Sequence, residues 1–374
     1  MIRSIIKKIA YTLIPVKDVI LFESVPDMSD NTRAVFDEMI KRGLNKKYKM
    51  VWIVENLDLD KLPQIPNVSY VKLGSKEALS YERHSKCLIC CNRWLHTRRE
   101  KGQKSFYICH GTTIKSVRGY YTLPSDIDYC IVPSKGVVSL YENELMAPVE
   151  KIIPLGYPRN DVLTTANTDL KPLFPEVDFD KIIVWYPTYR QHKNGKAVAT
   201  GNSLPIIHDE NKAKELNEFA KENKVLIVLK PHFAQNVSYI KDLNLSNIKF
   251  IDDSFFVKNG ITSYEFVGSC DALISDYSSI YYDYTLCDKP IALIWEDIED
   301  YRKTPGIAKG VEPLLAGGQK VYTIDELKDF VFDVHSGVDK LQEDRRKVCD
   351  IVNYSTEGKD SQRVTDFIIE KGNL

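Results

Sequence analysis

Residues 106–115 read Phe106-Tyr107-Ile108-Cys109-His110-Gly111-Thr112-Thr113-Ile114-Lys115. An apolar run without polar alternation passes straight into a histidine, a glycine and two threonines. Such a run suits a strand of a parallel sheet, which is covered on both faces. The polar groups fall where that strand ends, and ligands of open α/β sheets collect beyond the carboxyl ends of their strands.

The same pattern repeats outward from this stretch. Val19 to Phe22, Met50 to Val54, Val68 to Leu73, Cys87 to Cys91 and Tyr129 to Val132 read as further strands. Asn31 to Arg42 and Lys76 to His84 have helical spacing between them. A second series follows: Ile182 to Tyr186, Val225 to Leu229, Ile248 to Ile251, Ala272 to Ile274 and Ile291 to Trp295 as strands. Asp209 to Glu222, Ser263 to Gly268, Glu326 to His335 and Asp339 to Val352 read as helices. Strands alternating with helices predict α/β domains of the doubly wound, Rossmann-like kind.

The chain has 374 residues, long enough for two such domains. The polar stretch Thr164 to Asp180, with Pro172 and Pro175, separates the two series. The expected division is 1–16 as a terminal segment, 17–163 as an N-terminal domain and 164–374 as a C-terminal domain. Two α/β domains of similar size predict a GT-B-like architecture with ligands held in an interdomain cleft.

The formal net charge is −1, which argues against a general nucleic-acid binder. The eight cysteines sit mostly in apolar runs without a second ligand pair, so buried, reduced thiols are expected rather than a zinc site. No run of about 18 apolar residues marks a transmembrane helix. Ile2, Ile5, Ile6, Ile9 and Leu13 recur at helical spacing, with Arg3, Lys7 and Lys8 elsewhere on the wheel. That pattern fits either a helix packed on its own domain or a basic amphipathic contact with an anionic membrane surface.

Four other strand ends carry polar chemistry. Trp185-Tyr186-Pro187-Thr188-Tyr189-Arg190 offers a guanidinium for phosphate. Leu229-Lys230-Pro231-His232 sets a lysine and a histidine two residues apart. Ile274-Ser275-Asp276-Tyr277-Ser278-Ser279 turns into a helix start, where free N–H groups and the dipole favour a phosphate. Gly156-Tyr157-Pro158-Arg159-Asn160-Asp161 reads as a hinge or strut, with Arg159 available to a ligand. Each alone has an ordinary alternative: a capped helix, a solvated turn, a strand-end histidine.

In this order, with Lys115 and Asp283 added, the motifs resemble the CDP-glycerol glycerophosphotransferases of teichoic acid synthesis. The resemblance spans roughly residues 85 to 300. It implies transfer of glycerol phosphate from CDP-glycerol to a hydroxyl of a membrane-bound, lipid-linked glycan, with release of CMP. It also implies peripheral attachment at the cytoplasmic face of the membrane. By resemblance His110 is the base and His232 contacts the donor phosphates. Ser278 and Ser279 match phosphate-binding hydroxyls. Thr112, Lys115, Arg159, Arg190, Lys230, Ser275, Asp276 and Asp283 are the further expected substrate contacts. No metal-ligand cluster stands among the motifs, so no bound cofactor is expected beyond stimulation by free Mg²⁺. A CDP-ribitol donor, a nucleotide-sugar glycosyltransferase and a non-enzymatic nucleotide sensor stay open as alternatives. The motifs do not give the oligomeric state.

Overall fold

The structure is a computed structural model that describes residues 15–95, 102–188, 204–231, 237–303 and 305–374. The proposed membrane segment at the N-terminus, Arg190 and His232 lie outside the described residues. Contacts divide the chain into two compact units. Unit 1 comprises residues 1–112, 118–161 and 357–374; unit 2 comprises 113–117 and 162–356.

Unit 1 is built on strands β1 (Lys17–Glu23), β2 (Lys49–Val54), β3 (Val68–Lys72), β4 (Ser85–Cys90), β5 (Lys104–Ile108), β6 (Tyr129–Val132) and β7 (Ile152–Pro154). They form one parallel sheet in the order β3-β2-β1-β4-β5-β6-β7. Ile20, Leu21, Phe22, Leu88, Ile89, Phe106 and Ile108 are fully buried. Both sheet faces are therefore covered, which is why these strands carry no polar alternate. Phe22, Phe36 and Trp52 pack as a ring cluster with centroids 5.2–5.5 Å apart, fixing the helix Asp30–Lys41 to the sheet.

Unit 2 repeats the plan with β8 (Lys181–Trp185), β9 (Val225–Leu229), β10 (Ile248–Phe250), β11 (Ala272–Ser275), β12 (Ile291–Ile294) and β13 (Gln319–Val321). Their order is β10-β9-β8-β11-β12-β13, again all parallel. The fold is α/β and GT-B-like, with two Rossmann-like sheets. In each sheet the strand order reverses once, between β1 and β4 and between β8 and β11, and such a reversal opens a crevice at the carboxyl ends.

Three details differ from the sequence-based division. The units part after Asp161 rather than after Leu163, and residues 357–374 return to unit 1. The reason is the helix Asp360–Gly372. Its Phe367 ring meets Tyr129 at 5.1 Å and Phe106 at 6.2 Å. Gln362 O accepts from Arg42 at 3.2 Å, and Asp366 pairs with Arg42. Residues 113–117 leave unit 1 because they bond to the 306–308 turn: Ser116 N donates to Gly306 O, and Ala308 N to Ile114 O, both at 2.9 Å.

The eight cysteines are free thiols, and all but the half-buried Cys287 are buried. None of the described helices is long and apolar enough to cross a membrane.

Candidate active site

In unit 1 the site begins where β5 ends. Cys109 N still donates to Ile131 O at 3.1 Å, so the chain keeps the sheet register up to that atom. Beyond it three successive carbonyls are each bound by a side chain. Asn31 Nδ2 donates to Cys109 O at 2.8 Å. Arg159 Nη1 donates to His110 O at 2.8 Å. Tyr141 Oη donates to Gly111 O at 3.0 Å. The His110 residue itself is exposed.

Two of the donors, Asn31 and Arg159, are tied to each other, and the third is held by a neighbouring tyrosine. Asn31 Oδ1 accepts from Arg159 N at 3.1 Å, and Asp30 Oδ1 pairs with Arg159 Nη1 at 2.7 Å. The Tyr141 and Tyr157 hydroxyls share a hydrogen bond, and Tyr141 also reaches Thr112 Oγ1 at 3.3 Å. Burial holds both phenols far above their usual range, so they act as neutral hydrogen-bonding groups. Thr112 is buried, with its hydroxyl against Tyr141. Arg159 serves the backbone of His110, with only 9% of its side chain exposed.

The crevice between β1 and β4 is closed by the protein. Glu23, fully buried at the end of β1, accepts from Cys91 N, Asn92 N and Arg93 N at 3.0–3.4 Å. Burial raises its carboxyl pKa, against the lowering effect of these amides and Arg93.

In unit 2 the corresponding crevice carries the serine turn. Asp276 stands at the end of β11 and Thr188 beyond the end of β8, the two strands flanking the reversal. Thr188 N donates to both Asp276 carboxylate oxygens at 2.9–3.0 Å, and Thr188 Oγ1 bonds to it as well. Tyr277 N donates to Asp276 Oδ1 at 2.6 Å. Tyr277 Oη donates to Asp297 Oδ1 at 2.9 Å, and its ring stacks on Tyr301. Asp276 is therefore a strut across the strand reversal. Ser275 Oγ donates to Tyr186 O at 3.0 Å and is part of the same bracing.

Beyond this brace the backbone is open. The N–H groups of Ser278, Ser279 and Ile280 have no protein acceptor among the described residues, and the two serines are half-buried. The next N–H groups are used internally, Tyr281 N by Ser278 O and Tyr282 N by Ser279 O. Asp283 is buried and accepts from Tyr264 Oη at 2.7 Å. Lys230, at the end of β9, pairs with Asp253 at 3.0 Å and lies 5.7 Å from the Tyr186 ring centre. Lys115 is exposed and lies in the excursion of 113–117 into unit 2, where it pairs with Ile307. Among the described residues no three His, Cys, Asp or Glu side chains are grouped to hold a metal ion.

The family model described as CDP-glycerol:poly(glycerophosphate) glycerophosphotransferase matches residues 5–370. The chain belongs to that family. Similar members include a teichoic acid poly(glycerol phosphate) polymerase of Staphylococcus epidermidis, 26% identical over 76% of this chain and 41% of that protein. A teichoic acid ribitol-phosphate primase of Bacillus spizizenii is 25% identical over 65% and 59%. A second poly(glycerol phosphate) polymerase, also from Bacillus spizizenii, is 23% identical over 99% and 93%. The chain thus spans about half the length of the first two of these glycerophosphotransferase relatives. In structure it is similar to the wall teichoic acid polymerase TagF, with TM-score 0.76 and 22% identity over 96% of this chain and 90% of that one. That likeness concerns the fold.

Within this family of teichoic acid polyol-phosphate transferases, the sequence reading named His110, Ser278 and Ser279 as candidates, and Arg159 and Asp276, which brace them, as substrate contacts. Asp30, Asn31, Tyr141 and Asp297 stood outside its motifs, and Thr188 and Tyr277 stood inside them without an assigned role. Ser29-Asp30-Asn31 reads as an ordinary helix opening, since such residues are preferred caps. The one local signal was a polar residue at the end of each neighbouring apolar strand.

Proposed function

We propose that the chain transfers glycerol phosphate from CDP-glycerol to a hydroxyl of a lipid-linked glycan acceptor, releasing CMP, in the synthesis of teichoic acid or a related polymer. The observation that carries this reading is the braced turn at the β8/β11 reversal, whose amides 278–280 are open to an anion. Backbone N–H groups and small hydroxyls at such a place suit a pyrophosphate.

In this reading the acceptor oxygen attacks the phosphorus bearing the glycerol. A new phosphorus–oxygen bond forms and the anhydride bond to CMP breaks. His110 takes the hydroxyl proton as general base. Ser278, Ser279 and their amides, with Lys230, offset the charge that grows on the bridging and leaving oxygens. His232 and Arg190 are assigned to the same phosphates by resemblance. Free Mg²⁺ is expected to assist donor binding without a dedicated protein site. Attachment is proposed to be peripheral, at the cytoplasmic face of the membrane, through the basic N-terminal segment.

The test is incubation of the full chain with CDP-glycerol labelled in the phosphate next to glycerol and a lipid-linked disaccharide. Label in the acceptor together with CMP release is the expected result. CMP release only with CDP-ribitol would reassign the donor. Transfer of a sugar without phosphate would replace the reading with a glycosyltransferase. Binding of the donor without turnover across a panel of acceptors would favour a nucleotide sensor.

A further inference from the structure

We propose that Asn31, together with the Asp30–Arg159 pair, is a positioning element that sets the direction in which His110 leaves the sheet. The proposal rests on the assignment of His110 as the base.

A histidine at a strand end has two sources of orientation, its own side-chain rotamer and the backbone that carries it. Here the backbone is over-determined. The sheet holds Cys109 through its N–H, and then passes the chain to side chains at consecutive carbonyls. Asn31 Nδ2 takes Cys109 O at 2.8 Å and Arg159 Nη1 takes His110 O at 2.8 Å, so the peptides on both sides of the His110 α-carbon are fixed.

The two donors do not act independently. Asn31 uses its oxygen to accept the Arg159 backbone N–H at 3.1 Å, while Asp30 anchors the Arg159 guanidinium at 2.7 Å. Asp30 has a left-handed backbone, φ +62°, which an aspartate tolerates better than most residues but adopts at a cost. That conformation turns the start of the helix Asp30–Lys41 so that adjacent side chains, Asp30 and Asn31, converge on one peptide segment. Asn31 is fully buried, so its amide reaches no solvent and its two hydrogen-bonding ends are spent on these contacts. A group so placed touches neither donor nor acceptor substrate; its effect on chemistry runs through the position of His110. Proton abstraction is steeply sensitive to that position, a displacement of about 1 Å costing on the order of 100-fold in rate.

The substitution Asn31→Asp keeps shape and the oxygen that accepts from Arg159 N, but replaces the donor to Cys109 O with a second acceptor. Steady-state kinetics with CDP-glycerol on the full chain should show kcat lowered by about 10- to 100-fold. The donor KM should change less than about threefold, since substrate binding is not what is lost. The decisive readout is a double-mutant cycle with His110→Ala. If Asn31 acts through His110, Asn31→Asp slows the wild type but leaves the residual rate of His110→Ala unchanged. Equal slowing in both backgrounds would show a general structural role and overturn the proposal. So would an unchanged kcat in Asn31→Asp. If His110→Ala alone retains full turnover, the base assignment itself fails, which is a separate outcome. Should Asn31→Asp not fold, Arg159→Lys serves instead. It keeps the charge but is shorter and lacks the planar guanidinium whose Nη1 bonds both Asp30 and His110 O, and the same cycle applies.

Discussion

Gly156 and Asp360 are packed so closely that a methyl group on Gly156 would lie 2.1 Å from Cγ of Asp360. Gly156 also has φ +95°, a backbone region that side chains rarely adopt. The contact arises because Asp360 Oδ2 accepts from Tyr157 N at 2.9 Å, while Asp161 accepts from Asp360 N at 2.7 Å and Ser361 N at 2.9 Å. Each segment thus caps the other. The stretch 156–161, read from sequence as a hinge or strut, is the dock for the helix Asp360–Gly372.

Gly156→Ala should therefore be costly. Left-handed strain and a clash with the hydrogen-bonded Asp360 carboxylate together predict a loss of about 3 kcal/mol or more. Chemical denaturation would measure it. Hydrogen exchange should show the amides of 360–372 opening first. A change below about 0.5 kcal/mol, the range of an ordinary surface substitution, would contradict the docking geometry.

Asp360 should make stability depend on pH. Burial, against the lowering effect of Arg363, raises its carboxyl pKa to about 7. Unfolded, the same group titrates near 4. Between these values the folded state holds the proton that the unfolded state has released, so stability falls as pH rises from about 4 to about 7 and levels off above. The drop is on the order of 2–4 kcal/mol. Asp360→Asn, which cannot ionise, should flatten this part of the curve. An unchanged slope in urea melts across the window would assign it to other groups.

Asp276 predicts a different signature. Removing its carboxylate frees Thr188 N and Tyr277 N and unpins the turn 277–279. Asp276→Ala should raise the donor KM or Kd about tenfold or more, consistent with a cost of roughly 1–3 kcal/mol for the orphaned groups. Calorimetric titration with CDP-glycerol would read it. If Asp276 instead touches the substrate hydroxyls only, Asp276→Asn should be nearly as damaging as Asp276→Ala.

The central strands were legible because burial on both faces writes them as unbroken apolar runs. Val225–Leu229 and Tyr129–Val132 match their expected bounds. Of the four edge strands, β3 and β10 were read but β7 and β13 were not. Ile152–Pro154 and Gln319–Val321 are three residues each, one ending in proline and one carrying a lysine, as short, blunted edges do. Helix Asp360–Gly372 was missed as well, since its apolar residues face partners far back in the chain. The site shows the same limit. His110, Ser278 and Ser279 stand next to a strand end and can be found locally. Asn31, by contrast, acts on Cys109, 78 positions away, and only the folded backbone brings the two together.

The return of residues 357–374 to unit 1 also sets an order of assembly. The ribosome delivers Asp161 and then makes about 200 more residues before the helix that docks on Gly156 exists. At roughly 5–20 residues per second this is a wait of about 10–40 seconds. Throughout that interval Phe106 and Tyr129 lack the ring of Phe367, and the 156–161 segment lacks its carboxylate cap. Of these two units, the one whose synthesis starts earlier is thus the later to be completed.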